Sequence, residues 1–99
     1  MARRTYRLSP MAEVHMEGIW LYTLDRSSLA QADSYYEDLV AVFEALESGV
    51  KRGCMVDLRS GYRKHARGAH MIYFRQEDDR VDITRILHAR QEMERHLSR

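Results

Sequence analysis

Eight side chains in the second half of the chain could act together on an anionic substrate: Arg63, Lys64, His65, Arg67, His70, Arg85, His88 and Arg90. Arginine presents a planar fork of donors that matches phosphate or carboxylate oxygens. Histidine titrates near neutrality and can take up or release a proton. Converging on a sheet, these residue types could bind phosphate and support general acid–base cleavage of RNA. Successive side chains of a strand face opposite ways, so Arg63, His65 and Arg67 share one face and Lys64 takes the other. The plainer alternative is a charged sheet edge combined with capping of a last helix.

Other chemistries find less support. The five histidines, His15, His65, His70, His88 and His96, are scattered, and none forms a ligand pair at helical spacing, so no metal is expected. His15 reads as a helix-surface residue. Cys54 is the single cysteine, so no internal disulfide can form, and a reducing cytoplasm is the natural setting. Nothing local offers it a base, and it reads as an inert thiol on a loop or edge. Asp78 and Asp79 are adjacent in a turn and point apart, which is turn chemistry. No GxxxxGK[ST] or helix-opening GxGxxG is present, so no nucleotide cradle or other cofactor site is expected.

The elements that would position these residues are legible. Thr5 to Leu8 reads as a short first strand. Ser9 and Pro10 start a helix, as a favoured N-cap followed by a proline at the first helical position. Ala12, Met16, Ile19 and Thr23 give it an apolar stripe with Trp20 beside them, and Gly18 suggests close approach of another backbone. Asp25 to Ser28 breaks the pattern. A second helix carries Leu29, Ala32, Tyr36, Leu39, Val40, Phe43 and Leu46, and Gly49 reads as its C-cap. Val50 to Ser60 reads as a basic connector. Three strands follow: Tyr62–Arg67, polar enough to be a sheet edge, then His70–Arg75 and Val81–His88. Gly68-Ala69 and Glu77–Arg80 supply the turns, and Gln91–His96 a short last helix against which Leu97 can pack. The expectation is a single α+β domain over residues 1–99, β-α-α-β-β-β, with a helical hairpin packed on a small sheet as a two-layer sandwich and a short C-terminal helix. Whether the first strand runs parallel or antiparallel to its neighbour is left open.

The charge is divided. Residues 1–50 hold four basic and eight acidic side chains, net −4, while residues 51–99 hold twelve basic and seven acidic, net +5. A basic sheet half beside an acidic helical half suggests a partner with a strongly charged surface; an unevenly charged solvated surface is the plain alternative. No apolar run approaches the length of about 18 residues needed to cross a bilayer. Arg3 and Arg4 are not followed by an apolar stretch, so no secretion signal is expected.

The strings YRLSPMAEVHMEGIWLYT, QADSYYEDL, DLRSGYRKHARGAHMIYFR and RILHARQEMERHL, taken together, cover nearly the whole chain. In this combination and order the chain resembles a ParE-type toxin of the RelE/ParE superfamily. It departs from the usual pattern at Gln91-Glu92-Met93 and at Met55-Val56, which bears on the target contact more than on the fold. The resemblance implies a RelE/ParE-like fold and the toxin component of a bacterial type II toxin–antitoxin system, with growth inhibition and plasmid or chromosomal stabilisation as its consequences. It implies inhibition of DNA gyrase, a block to replication, and neutralisation by a ParD-like antitoxin in a heteromeric complex built on an antitoxin dimer. DNA would then be contacted only through antitoxin or gyrase, in the cytoplasm, with no membrane role and no enzymatic activity. The alternatives are ribosome-dependent mRNA cleavage resembling RelE, with His88 as a stand-in base, and a non-toxic relative that still binds an antitoxin.

Contact residues can be nominated on this basis. The C-terminal basic element, Arg85, His88, Arg90, Arg95 and His96, is the candidate for target binding. Trp20, Tyr35 and Tyr62 are the candidates for the antitoxin, because aromatic side chains dominate interface anchors. Arg63 and Arg67 join them as partners for an acidic antitoxin tail.

Overall fold

The structure is a computed structural model that describes residues 6–48, 54–57, 61–76 and 80–90, with 54–57 as backbone only. Strand β1 (Tyr6–Leu8) leads into helices α1 (Pro10–Arg26) and α2 (Leu29–Ser48). Strands β2 (Cys54–Asp57), β3 (Tyr62–Arg67), β4 (His70–Gln76) and β5 (Val81–His88) follow. The five strands form one sheet in the order β1-β5-β4-β3-β2. The two helices lie on one side of it, giving the expected α+β sandwich.

Helix α1 begins as its sequence dictates. Ser9 is the N-cap, its Oγ accepting from the Ala12 N–H at 3.0 Å, and Pro10 opens the first turn. Ser9 also ties the helix to the sheet: its N–H donates to the Ile83 carbonyl at 2.9 Å and its Oγ donates to the Thr84 carbonyl at 2.9 Å. These bonds lie where β1 ends and the edge of β5 would otherwise be open. His15 completes the seal, its Nδ1 accepting the Ile86 N–H at 3.1 Å. His15 is thus a half-buried sheet ligand rather than the surface residue expected, because the short β1 leaves a strand amide that something must satisfy. That bond leaves the proton on Nε2, and burial, with Arg85 second, pulls the ring's pKa below its usual value.

The core is built from Met16 of α1, Leu39, Val42, Phe43 and Leu46 of α2, and Ile72, Phe74, Val81, Ile83 and Ile86 of the sheet. Tyr6 packs on Phe43 with ring centroids 5.6 Å apart. The expected α2 stripe is rotated at its near end. Tyr35 turns partly inward while Leu29 and Tyr36 are exposed. At about 100° per residue, Ala32, Tyr35, Leu39, Val42, Phe43 and Leu46 form one inward arc from which Leu29 and Tyr36 diverge. A Cβ built on Gly18 would meet nothing within 4 Å, so among the described residues no backbone makes the close approach that this glycine suggested.

Two sheet features differ from expectation. The stretch read as a connector contains β2, which pairs antiparallel with β3 and carries an irregularity between Met55 and Asp57. Strand β3 is therefore flanked on both sides, and the edges are β1 and β2. Its charge had suggested an edge, but β3 is an inner strand, and Tyr35 and Asp38 of α2 reach its Arg67 end. The orientation of β1, open from sequence, is parallel to β5, with Tyr6 beside Val81 and Leu8 beside Ile83. The turn at Gly68-Ala69 is present. Gly49, Glu77 to Asp79 and the expected C-terminal helix with Leu97 lie outside the described residues.

Candidate functional site

The pairing registers sort the polar residues by face. Arg63, His65 and Arg67 stand opposite Phe74, Ile72 and His70, and the latter three oppose Ile83, Ile86 and His88. Phe74, Ile72, Ile83 and Ile86 are buried under the helices, so this is the helix side. Tyr62, Lys64 and Ala66 oppose Arg75, Tyr73 and Met71, which in turn oppose Asp82, Arg85 and Leu87. That second face is turned away from the helices, and Leu87 on it is buried. The eight basic residues singled out from sequence are therefore not one cluster. Lys64 and Arg85 belong to the face away from the helices, while Arg63, His65, Arg67, His70 and His88 belong to the helix side.

On the helix side a compact polar group sits at the tip of the β3–β4 hairpin. Tyr35 of α2 donates its hydroxyl to the Arg67 carbonyl at 3.1 Å and lies 2.8 Å from Nδ1 of His70. A phenol has one proton to give. That single proton serves either the Arg67 carbonyl or His70 Nδ1, and the tautomer of His70 sets which. His88 Nδ1 accepts the Arg90 N–H at 3.0 Å. The His70 and His88 rings meet edge to face with centroids 5.3 Å apart. Burial, and then the neighbouring His88, lowers the His70 pKa to about 4. Burial raises that of Tyr35, against the hydrogen bond from the Ala69 backbone and the charge of Arg67. Arg67 also pairs with Asp38 at 3.1 Å, with both side chains nearly half exposed. Gly68 closes the tip at φ +57°, where a Cβ would stand 2.7 Å from the Tyr35 hydroxyl.

This group is built for holding the hairpin, and it is poorly suited to general base catalysis at neutral pH. A histidine titrating near 4, with one nitrogen spent on a phenol, is a neutral structural group. No set of three or more histidine, cysteine or acidic residues able to hold a metal occurs among the described residues.

The nominated contact residues divide as follows. Arg85 and His88 lie on opposite faces of β5, and Arg90 is exposed just beyond it. Arg95 and His96 lie outside the described residues. Trp20 joins the two helices, its indole N–H donating to Asp33 Oδ1 at 2.8 Å. Tyr35 and Arg67 come together, with Arg63 further along the same face, whereas Tyr62 is on the opposite face under the Arg75 guanidinium, 5.7 Å from its ring. Sequence reasoning missed a second stripe on α1. Met11, Val14, Leu21 and Tyr22 are exposed at 48%, 61%, 50% and 61%, too much apolar surface for an unpartnered helix face. Their spacing, interrupted only by Gly18, was the signal that could have revealed it. Among the described residues no helix is long and apolar enough to cross a membrane.

Comparison with known proteins completes the description. The family described as "ParE toxin of type II toxin-antitoxin system, parDE" matches residues 6–93. Toxin ParE1 of Mycobacterium tuberculosis (strain H37Rv) is 35% identical over 94 residues, covering 93% of this chain and 96% of that protein. Toxin ParE1 of Caulobacter vibrioides is 35% identical over 95 residues, covering 95% and 98%. In the solved chromosomal ParDE system from P. aeruginosa, one chain superposes with a TM-score of 0.71 at 17% identity, covering 86% of this chain and 95% of that one, a likeness of fold.

Proposed function

The chain belongs to the ParE toxin family of ParDE type II toxin–antitoxin systems, and from that premise we propose that it acts in the cytoplasm by binding and inhibiting DNA gyrase, and is silenced by a ParD-like antitoxin. The family match along nearly the whole chain carries this reading. The geometry supports a protein that grips rather than cleaves, since His70, half-buried among basic residues, is neutral at physiological pH and engaged by Tyr35. Exposed guanidinium groups at Arg85 and Arg90 remain as target contacts, with Arg95, His96 and His88 as further candidates. The apolar outer stripe of α1 supports the presence of a partner, for which Trp20, Tyr35, Tyr62, Arg63 and Arg67 are the nominated antitoxin contacts.

The test is a supercoiling assay with purified gyrase. The toxin is expected to block supercoiling and leave cleaved DNA trapped on the enzyme, and equimolar antitoxin to restore activity. Unimpaired supercoiling in a large excess of toxin would refute the proposal.

A further inference from the structure

The outward side of the helical hairpin gathers three features that each work against an isolated helix. The first is the exposed apolar stripe of Met11, Val14, Leu21 and Tyr22, on the side of α1 opposite the buried Met16. The second is Gly18, exposed in the middle of that stripe and met by nothing within 4 Å of a Cβ. The third is charge. Helices α1 and α2 together hold eight acidic residues and one basic residue, Arg26, whose guanidinium lies over its own Tyr22 at 4.7 Å. Glu13 and Glu17 are like charges four residues apart, as are Asp33 and Glu37, a repulsive spacing on a helix. Glu13, Glu17, Asp25, Glu37 and Glu44 are exposed, and none of them is in an ion pair with a described residue.

We propose that this stripe receives a cationic amphipathic helix of another protein, which crosses α1 at Gly18 and sets its Lys or Arg flanks toward Glu17, Asp25 and the acidic α2. All three features turn favourable under that one occupant. The apolar stripe leaves water, the glycine lets two helix backbones approach closely, and opposite charges replace repulsion. Met11 to Tyr22 spans about 17 Å, so about three turns of a partner helix cover it. The acidity disfavours other occupants. It repels nucleic acid and an anionic membrane, and a second copy of α1 would add acid to acid. The proposed segment is opposite in charge to the acidic antitoxin tail expected at Arg63 and Arg67, and its binding does not depend on gyrase.

Fluorescence anisotropy of three labelled helical peptides of about eighteen residues, titrated with the purified full chain, tests the proposal. One has a leucine ridge with lysine flanks, one the same ridge with glutamate flanks, and one the same lysines with a glutamine ridge. The first is expected to bind saturably, at least about tenfold more tightly than either other, and to weaken as salt rises. Gly18→Leu should weaken it about tenfold by blocking the crossing, and Val14→Ser about fivefold by removing apolar contact. Glu17→Gln should make the salt dependence shallower. All three positions are exposed, so the variants should fold, which far-UV circular dichroism checks. Sedimentation of the chain alone measures self-association. The proposal is overturned if the lysine-flanked leucine peptide does not bind, or if either control peptide binds equally well. Unchanged binding by folded Gly18→Leu and Val14→Ser, or a dimer of the chain that Gly18→Leu abolishes, would overturn it too.

Discussion

Replacing Tyr35 with phenylalanine isolates the latch that fastens the β3–β4 hairpin to α2. The ring and its packing stay, and only the oxygen goes. Two partners lose it: the Arg67 carbonyl at 3.1 Å and His70 Nδ1 at 2.8 Å. Arg67 is exposed, so water can recover much of the carbonyl's loss. The His70 nitrogen lies in a half-buried site and recovers less. An orphaned, partly buried polar group costs about 1–3 kcal/mol, and a rehydrated one almost nothing, so the net loss should be about 1–2 kcal/mol. For a domain of this size that lowers the melting temperature by about 4–15 °C. Urea unfolding followed through Trp20 emission at pH 7.5 measures it, and a cycle with His70→Leu should return a coupling of at least about 0.5 kcal/mol. A loss below about 0.3 kcal/mol, or additivity of the two changes, would show that the hydroxyl is merely solvated and the latch is not an energetic unit.

Gly68→Ala should cost more, about 2–3 kcal/mol, because the left-handed backbone disfavours a Cβ and the new atom would stand 2.7 Å from the Tyr35 hydroxyl; in a Tyr35→Phe background the same change should cost measurably less. Acid should destabilise the fold through His70. Its pKa falls from 6.5 to about 4 on folding, so the unfolded chain takes the proton first. Stability therefore declines as pH drops through about 6.5 and the decline levels off below about 4. The full shift is worth about 3 kcal/mol, which partial exposure of the ring reduces to about 1–2 kcal/mol, and His70→Asn should flatten the urea midpoint's pH dependence by that amount. Gly18→Ala should stabilise the isolated chain by about 1 kcal/mol, since the position is helical and open; a lowered urea midpoint would contradict that description of α1.

Some of the architecture needed only local rules. Ser9-Pro10 fixed the start of α1 to the residue, and alternation along β4 accounts for Ile72 and Phe74 turning inward, whereas in β5 the irregularity at Thr84 puts Ile83 and Ile86 on one face, which a strict period of two would not. The division of Arg63, His65 and Arg67 from Lys64 followed from the same period of two. The strand at Cys54–Asp57 was harder to see, because four residues in a charged neighbourhood have too short a pattern to stand out and owe their conformation to pairing with β3. His15 looked like an ordinary surface histidine, since its role depends on a strand amide 71 positions away.

The sequence by itself carried the family, through a resemblance spread over nearly the whole chain, and its local periodicity and composition carried the order of the helices and of every described strand but β2, with the separation of an acidic half from an arginine-rich one. Tertiary structure alone decided that Arg85 joins Lys64 on one face while His70 and His88 join Arg63, His65 and Arg67 on the other, and that Tyr35 and His70 meet beneath the Gly68 turn. Those arrangements depend on strand register and on how far the helix layer reaches, and both are set by contacts between residues far apart in the chain.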